Sequence, residues 1–561
     1  MNSNAAPAGA KDAAEGNDAA GRIASGYDTD SAVVIVGSVV VDGICDASAL
    51  VKIPLAMFNR HGLVAGATGT GKTKTLQMVA EQLSTAGVPV MMPDIKGDLS
   101  GLAVPGGSND RITERASDTG DDWAPAAYPV EYLSLAGQGT GVPVRATIDS
   151  FGPILLSKVL SLNDTQESTL GLIFHWADSQ DLPLLDIKDL REVIQFLTGD
   201  EGKADLKELG GVSPSTAGVI LRAVTNLESQ GGDQFFGEPQ LDVNDLIRTG
   251  ADGRGIISLL EVGNLQAKPA LYSTFVMWLL AELFEQLPEI GDPDKPRIVF
   301  MFDESHLLFA DASKAFLQAV EQTVKLIRSK GVGVFFCTQL PTDVPDAVLS
   351  QLGARIQHAL RAFTPNDQQA LVKTVKTYPK TADYDLASAL TSLGTGEAIV
   401  TVLSDRGAPT PVAWTRVRAP RSLMAPAPAD IVSQNIAGSP LNAKYGQPVD
   451  RESAYELLTA RLADAAAGSS DSATPADRTP ADRTADAPTA PPPDNRAGGG
   501  AGGFLGGLIA STAGKSFPAL TGHRTGRGAR ARHLRHQAAA PLTSSRNIGS
   551  PGFVRRAGVM K

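Results

Sequence analysis

Between residues 31 and 463, short apolar runs alternate with stretches whose apolar residues recur at helical spacing. Most of the apolar runs are rich in β-branched residues and end at Gly or Asp; they cover 32–41, 61–66, 88–93, 130–135, 254–262, 297–302 and 331–337. The clearest helical stretches cover 72–85, 270–286 and 315–328. Strands that are apolar at consecutive positions are typical of a parallel sheet covered by helices on both faces. The pattern therefore predicts an α/β fold with a mostly parallel sheet flanked by helices.

Residues 151–230 interrupt this alternation and have a mostly helical pattern. Asn163 is followed three positions later by Gln166, which is typical of a capping box, and Ser213 precedes Pro214 as at a helix start. We therefore expect a helical insertion over about 151–230, within one large domain that spans 31–463. Its surface could bind a partner or pack within an assembly.

Both ends of the chain have the composition of disordered segments. Residues 1–30 are rich in Ala, Gly, Asp and Ser, and such a segment buries too little apolar surface to offset the cost of ordering. Residues 464–502 form a Pro/Ala/Asp/Gly linker, and 503–561 form a basic tail. We expect disorder in all three segments, although the apolar patch at 504–509 could instead dock as a helix.

Charge and composition narrow the class of protein. The chain has 561 residues with a net charge of −11, which argues against a globally basic nucleic-acid binder. Two cysteines, Cys45 and Cys337, provide no disulfide framework. No apolar run approaches the roughly 18 residues of a membrane helix, and the first residues lack the pattern of a secretory signal. We therefore expect a cytoplasmic protein that does not enter a membrane.

The strongest motif follows the apolar run at 61–66. It reads Gly66-Ala67-Thr68-Gly69-Thr70-Gly71-Lys72-Thr73, with Lys74 next, and matches G-x-x-x-x-G-K-[ST] in full. A strand before the motif and a helix after it are the context of a P-loop, or Walker A motif. All nine residues from Gly66 to Lys74 are expected at the nucleotide. Backbone N–H groups of the loop and the Lys72 ammonium would bind its phosphates, and the Thr73 hydroxyl would ligate Mg²⁺. The motif predicts ATP and Mg²⁺ as cofactors.

An acidic pair follows the apolar strand at 297–302. Asp303 is expected at the carboxyl edge of the sheet, where ligands bind in open α/β folds, and it would serve as the carboxylate for Mg²⁺ (Walker B). Glu304 would be the general base for a water that attacks the γ-phosphate. The alternative is that the pair caps a helix N-terminus.

Further polar residues are candidates at the same edge. Gln339 closes the run at 331–337 and would contact the γ-phosphate or the attacking water, unless it is an ordinary polar residue after a strand. The carboxylates of Asp94 and Asp98 could orient water or bind substrate, or they could simply build a turn.

Three arginines are candidates for an arginine finger that reaches a neighbouring subunit's γ-phosphate; they are Arg328, Arg355 and Arg361. Surface or structural roles are equally open for each.

These motifs, taken in order, resemble the HerA–FtsK superfamily of P-loop ATPases, and in particular its bacterial HerA-like branch. The resemblance covers roughly 35–460, and it rests on NRHGLVAGATGTGKTKTLQ at 59–77, PDIKGDLSGLA at 93–103, GPILLSKVLSLNDTQ at 152–166, FFGEP at 235–239, FMFDESHLLF at 300–309, CTQLPTDVPDAVLSQLGARIQHALRAFTP at 337–365 and LGTGEAIVTVLSDRGAPTPV at 393–412.

The resemblance implies a RecA-like core that assembles as a ring, usually a hexamer, with ATP between subunits. It implies Glu304 as the base, Gln339 as the sensor, and an arginine from a neighbour, for which Arg328 and Arg361 are the candidates. The function it implies is a Mg²⁺-dependent, ATP-hydrolysing motor of the helicase or translocase type, with double-stranded DNA and a nuclease or other protein as partners. The alternative is an ATP-driven switch that remodels a protein partner without moving DNA.

Overall fold

The computed structural model describes residues 18–471, apart from 136, 138, 209–212, 263–268 and 310–313. The described residues contain one sheet of twelve strands: β1 (Val33–Val41), β2 (Ile44–Pro54), β3 (Gly62–Ala65), β4 (Val90–Asp94), β5 (Val130–Leu135), β6 (Val142–Val144), β7 (Ile257–Glu261), β8 (Ile298–Phe302), β9 (Val332–Thr338), β10 (Ala354–Gln357), β11 (Glu397–Thr401) and β12 (Ala413–Val417). Their order across the sheet is β2-β1-β12-β11-β10-β3-β9-β8-β4-β7-β5-β6.

Every pair of adjacent strands from β10 across to β6 is parallel, which confirms the expected α/β fold with a mostly parallel sheet. Every residue of β3, β4, β8 and β9 is buried, as the continuous apolar runs predicted. Successive side chains enter different cores: Phe300 and Phe302 pack on one face of the sheet, and Val299 and Met301 pack on the other.

Helices cover both faces. They are α1 (18–25), α2 (Lys72–Thr85), α3 (Asp110–Thr119), α4 (Ile148–Val159), α5 (Asp164–Ser179), α6 (Ile187–Thr198), α7 (Lys203–Glu208), α8 (Pro214–Leu227), α9 (Asp233–Phe235), α10 (Pro269–Gln286), α11 (His306–Phe309), α12 (Lys314–Leu326), α13 (Asp346–Leu349), α14 (Pro365–Val375), α15 (Leu386–Ser392), α16 (Ala429–Gly438), α17 (Pro440–Tyr445) and α18 (Ala454–Asp471). Buried side chains of α4, α5, α6 and α8 share the core of α10, on one face of the sheet, whereas α1 and α2 pack on the other face.

The expected helix starts at 163 and 213 are present. The Asn163 side chain accepts a hydrogen bond from the Gln166 amide, and the Asn163 amide donates the reciprocal bond to the Gln166 side chain, which completes a capping box. Ser213 caps α8 with Pro214 at its first position. Residues between 148 and 235 are thus mostly helical.

Four strands at one side of the sheet are antiparallel. β1 pairs with β2 and with β12, β12 pairs with β11, and β11 pairs with β10. Several residues of β2 are exposed, because it is the edge strand, so it carries no continuous apolar run that would mark it in the sequence. The apolar run at 32–41 predicted β1, whereas β2, β11 and β12 extend the sheet beyond the strands that the apolar pattern predicted.

Disorder over all of residues 1–30 was a wrong prediction. The helix α1 occupies 18–25, and Ala20, Ile23 and Tyr27 are buried in the core that contains α2. The Tyr27 hydroxyl also lies 2.9 Å from the Val400 carbonyl oxygen. An apolar stripe of three residues is enough to hold this short segment, although its average composition is that of a solvated chain. The part of the prediction that concerns residues 1–17 lies outside the described residues.

The predicted linker boundary at 464 also requires correction, because α18 begins at Ala454 and continues to Asp471. Ala454 and Leu458 are buried near α6, and the Ser453 hydroxyl donates a hydrogen bond to Asp189 (2.7 Å). The rest of the predicted linker and the whole basic tail lie outside the described residues. Within residues 18–471 as described, no helix is long and apolar enough to cross a bilayer.

Candidate functional site

The candidate site lies at the carboxyl edge of β3, near the middle of the sheet. Ala65, the last residue of β3, is in register with Thr338 of β9 on one side and with Gln357 of β10 on the other. The Gly66 amide donates to the Thr338 carbonyl oxygen (3.2 Å), which ties the loop at 66–71 to β9. Parallel strands bring the segments that follow them to one edge, so the P-loop emerges between the residues that follow β9 and β10.

The loop has the conformation that the motif predicts. Gly66 and Gly71 have φ angles of 153° and 113°, which other residues rarely adopt. A Cβ atom at Gly66 would lie 2.5 Å from the Cβ atom of His358, so there is no room for a side chain. The helix α2 begins at Lys72, and no side chain caps its first turn. Its first amides therefore point toward the loop without intrahelical acceptors, which is the arrangement that binds phosphate.

His358 packs against the P-loop and was not among the residues that the sequence motif predicted at the site. His358 is fully buried: its Nε2 lies 2.9 Å from the Thr75 hydroxyl of α2 and its Nδ1 lies 2.8 Å from the Glu397 carbonyl oxygen. A carbonyl only accepts, so Nδ1 carries the proton and Nε2 accepts from Thr75. Burial, together with the Lys72 charge, lowers the pKa of His358 to about 4, even though the bond to Glu397 raises it. The neutral imidazole ring of His358 thus connects α2 and β11 through two hydrogen bonds.

The side chains of the loop and of the first turn of α2 differ in their contacts. Lys72 is buried, and its ammonium donates a hydrogen bond to the Ala67 carbonyl oxygen of the P-loop (3.4 Å). The ammonium therefore already lies at the loop that would bind the phosphates. Thr73 is half-buried in the first turn of α2. Lys74, which we expected at the nucleotide, instead donates to the Gln77 side chain (3.1 Å). Thr68 and Gly69 form the exposed tip of the loop.

Asp303 and Glu304 follow β8, whose last residue is in register with Phe336 of β9. The Ser305 amide donates to the Cys337 carbonyl oxygen (2.7 Å), which holds this turn against β9, the strand that adjoins β3. The Asp303 carboxylate accepts from the Glu304 amide (2.8 Å). Glu304 has a φ angle of 45°, an uncommon value for a residue with a side chain that costs roughly 1–3 kcal/mol. Strain of this size is retained where the surrounding contacts determine the conformation.

The carboxylate of Glu304 is held by Lys96, a contact that the sequence did not predict. The Lys96 ammonium donates to Glu304 Oε1 (2.7 Å), and His306 Nδ1 lies 3.3 Å from Oε2 without hydrogen-bond geometry. Burial alone would raise the pKa of Glu304, but Lys96, followed by Lys72 and His306, lowers it below its ordinary value. Glu304 is therefore ionised at neutral pH. Lys96 lies in PDIKGD, shortly after β4. Its position after a strand of the parallel sheet was the one feature of the sequence that could have placed it near Glu304.

Asp94 has the structural role that we gave as the alternative. Its carboxylate accepts from the amides of Gly97 (2.8 Å) and Leu99 (3.1 Å), and so builds the turn that presents Lys96. Burial raises the pKa of Asp94 to about 6 despite these bonds.

The fold places the remaining candidates, Gln339, Arg361 and Arg328, at two opposite edges of the sheet. Gln339 is exposed directly after β9, beside the loop. Arg361 is exposed and its guanidinium approaches the Thr68 carbonyl oxygen of the same chain (3.5 Å). Arg328 lies shortly before β9, at the opposite, amino edge of the sheet, where it bonds Asp292 (2.9 Å). Within one chain, the structure brings Arg361 to the P-loop and not Arg328.

Comparisons with known proteins agree with this geometry. The model of the family described as "Helicase HerA-like C-terminal" matches residues 43–498. The DNA double-strand break repair helicase HerA of Sulfolobus acidocaldarius is 23% identical over 377 residues, which cover 66% of this chain and 68% of that protein.

Solved structures with similar folds include an unbound form of the bacterial conjugative coupling protein TrwB (14% identity, 72% of this chain and 94% of that chain, TM-score 0.48). They also include VirB4 of Thermoanaerobacter pseudethanolicus (14% identity, 70% and 98%, TM-score 0.44). Since the family model covers most of the chain, the chain belongs to the helicase HerA-like C-terminal family, which confirms the resemblance to the HerA–FtsK P-loop ATPases.

Proposed function

We propose that the chain hydrolyses ATP with bound Mg²⁺, and that several copies form a ring, expected to be a hexamer, that moves along double-stranded DNA. The observation that carries the hydrolysis proposal is Glu304. It is an ionised, largely buried carboxylate in the turn that follows β8, the strand next to β9, at the edge where the P-loop lies. A protein that only bound nucleotide would have no use for such a base at this position.

The residues present fit a nucleotide with Mg²⁺. The loop offers amides without intrahelical acceptors and the Lys72 ammonium to the phosphates. Among the described residues, no cluster of three or more His, Cys, Asp or Glu side chains could hold a metal ion. That finding suits Mg²⁺, which is usually bound through one or two protein ligands together with phosphate oxygens and water. Thr73 and Asp303 would be those ligands, and the ion would neutralise charge on the phosphates.

In the proposed reaction, Glu304 accepts a proton from water as the water oxygen attacks the γ-phosphorus and the bond to the ADP oxygen breaks. The products are ADP and phosphate. A carboxylate whose lone pair is engaged by the Lys96 ammonium is a poorer base. We therefore propose that the Lys96 contact is a resting arrangement, and that Glu304 moves from Lys96 to the attacking water when the site is ready. Gln339 would orient that water or sense the γ-phosphate.

Turnover measurements test the hydrolysis proposal. We expect Lys72→Ala to lower ATP turnover by about 100-fold or more, because a preorganised cation at the phosphates is lost. We expect Glu304→Gln to lower turnover by about 10²–10⁴-fold while ATP stays bound. The matched controls are Lys373→Ala and Glu452→Gln, whose side chains are exposed. Unchanged turnover in Glu304→Gln would remove Glu304 from the mechanism.

The motor proposal rests on family membership and on the HerA relative, which is named as a DNA repair helicase. It is tested by ATP turnover with and without double-stranded DNA at low and moderate salt, together with the mass of the assembly in solution. We expect DNA to stimulate turnover, with an effect that weakens as salt rises because phosphate contacts release counterions. A candidate nuclease or other protein partner would be added to the same assay, and a change in ATP turnover would indicate an interaction.

The alternative is an ATP-driven switch that acts on a protein partner. It is favoured by the helical insertion, which exposes Ile154, and by the acidic balance of the chain. If DNA neither binds nor stimulates turnover while the wild-type chain still hydrolyses ATP, the motor proposal fails and the switch is favoured.

A further inference from the structure

A second cavity lies at the amino edge of the sheet, away from the P-loop. Its volume is about 790 Å³, within the range of small-molecule sites. It opens beside the starts of β3 and β10 and the end of the antiparallel strand β11. The length of β3, roughly 13 Å at about 3.3 Å per residue, separates it from the P-loop at the other edge. A nucleotide in the P-loop therefore cannot also fill this cavity.

The cavity is lined by four cationic side chains, Arg60, Lys325, Arg328 and Arg355. One carboxylate, Asp292, pairs with two of them: it lies 3.4 Å from Arg60 and 2.9 Å from Arg328. Among the described residues, Lys325 and Arg355 form no ion pair. Arginine lowers its free energy most by bidentate contact with phosphate or carboxylate oxygens, so this excess positive charge favours an anion.

His61 supplies a second, independent observation. It lines the cavity, is only 2% exposed, and accepts a hydrogen bond from the Val334 amide at Nδ1 (3.1 Å). Because Nδ1 accepts, Nε2 of the neutral ring carries the proton, yet Nε2 has no hydrogen-bond partner among the described residues. Burial lowers the pKa of His61 to about 4; the Val324 carbonyl raises it but lies outside hydrogen-bond geometry. A buried donor without an acceptor destabilises the fold, and a bound oxyanion would offset that cost.

We propose that this cavity is a second anion site, which binds a small molecule that carries a phosphate monoester. The phosphate would lie between Arg355, Lys325 and the His61 N–H. The lining also includes the apolar side chains of Leu352, Tyr378 and Pro379, which can cover the organic part of the ligand. A monoester is favoured over the phosphodiester of DNA, because the nearly inaccessible His61 donor suits a terminal group rather than a continuous backbone.

The test uses the full chain with Lys72→Ala, which weakens the P-loop site, and pyrophosphate and AMP as probes. Isothermal titration should give one site per chain. Arg355→Gln and Lys325→Gln should each weaken that binding by about tenfold or more, as expected for loss of one charged contact. Arg111→Gln, at an exposed arginine on α3, is the matched control and should bind as before. Circular dichroism melts show whether each variant is folded.

Three results would overturn the proposal. The first is no binding of either probe to the folded Lys72→Ala chain. The second is binding that neither Arg355→Gln nor Lys325→Gln weakens, since the anion would then lie elsewhere. The third is a defect of these variants toward a DNA oligonucleotide alone, which would assign the cations to a phosphodiester backbone.

Discussion

The chemistry of the site depends on which atoms surround one carboxylate. Glu304 is buried enough for its pKa to rise, and only the Lys96 contact, supported by Lys72 and His306, reverses that tendency. The two effects oppose each other, so removing the first cation shifts the balance toward a higher pKa of Glu304. The Lys96 side chain is about half exposed, so it is free to leave when Glu304 moves.

Lys96→Met should therefore raise the pKa of Glu304, because burial remains while the principal stabilising charge is lost. In the wild type the depressed pKa keeps Glu304 ionised at any pH above its ordinary value of 4.5, and the base is lost only as pH falls below that value. In the variant, the acid limb of the profile of kcat/KM against pH should move to higher pH.

Lys96→Arg is the control, since it keeps a cation beside Glu304 and should leave the acid limb near its wild-type position. An acid limb that does not move in Lys96→Met would mean that Lys96 has no part in setting the ionisation of the base.

At the scale of secondary structure, the parallel strands could be predicted because burial on both faces leaves continuous apolar runs. The P-loop and the Asp303-Glu304 turn could be placed for the same reason, since each follows such a strand. β2 could not be predicted in this way, because an edge strand exposes part of its surface. The signal that was available is local: Asp42-Gly43 joins β1 to β2 as a two-residue hairpin turn, with φ above 0° at both residues. The Lys96–Glu304 pair and the contacts of His358 with α2 and β11, in contrast, join distant segments that no local pattern brings together.

The helix α1 shows how an average composition conceals an ordered element. We expect Ile23→Ala to destabilise the chain by about 2–4 kcal/mol, because Ile23 is 1% exposed and its removal leaves a cavity. The measurement is the free energy of unfolding in urea. Gly21→Ala is the control in the same helix: Gly21 is exposed and an added methyl group would meet no atom within 4 Å, so alanine should stabilise by roughly 0.5–1 kcal/mol. Equal effects of the two changes would show that α1 does not pack on the core.

At the scale of the whole molecule, the two arginine candidates face different surroundings. Arg361 approaches the P-loop of its own chain, whereas Arg328 lies at the far edge of the sheet and could reach a nucleotide only in a neighbouring subunit. The two positions therefore predict different behaviour in an assembly that mixes two kinds of subunit. An arginine that acts between subunits can be supplied by a neighbour, and one that acts within a subunit cannot.

We expect mixtures of Lys72→Ala chains with Arg361→Ala chains to hydrolyse no more ATP than the two variants alone. A chain with an intact P-loop then still lacks its own Arg361, which no neighbour can replace. Mixtures with Arg328→Ala should recover turnover if Arg328 reaches across the interface, because the Lys72→Ala neighbour supplies an intact Arg328. The readout is turnover as a function of mixing ratio after the subunits are exchanged, with Arg111→Ala as the exposed control. Recovery with Arg361→Ala would instead assign Arg361 to the neighbour's nucleotide, and its contact with Thr68 would then belong to the isolated chain alone.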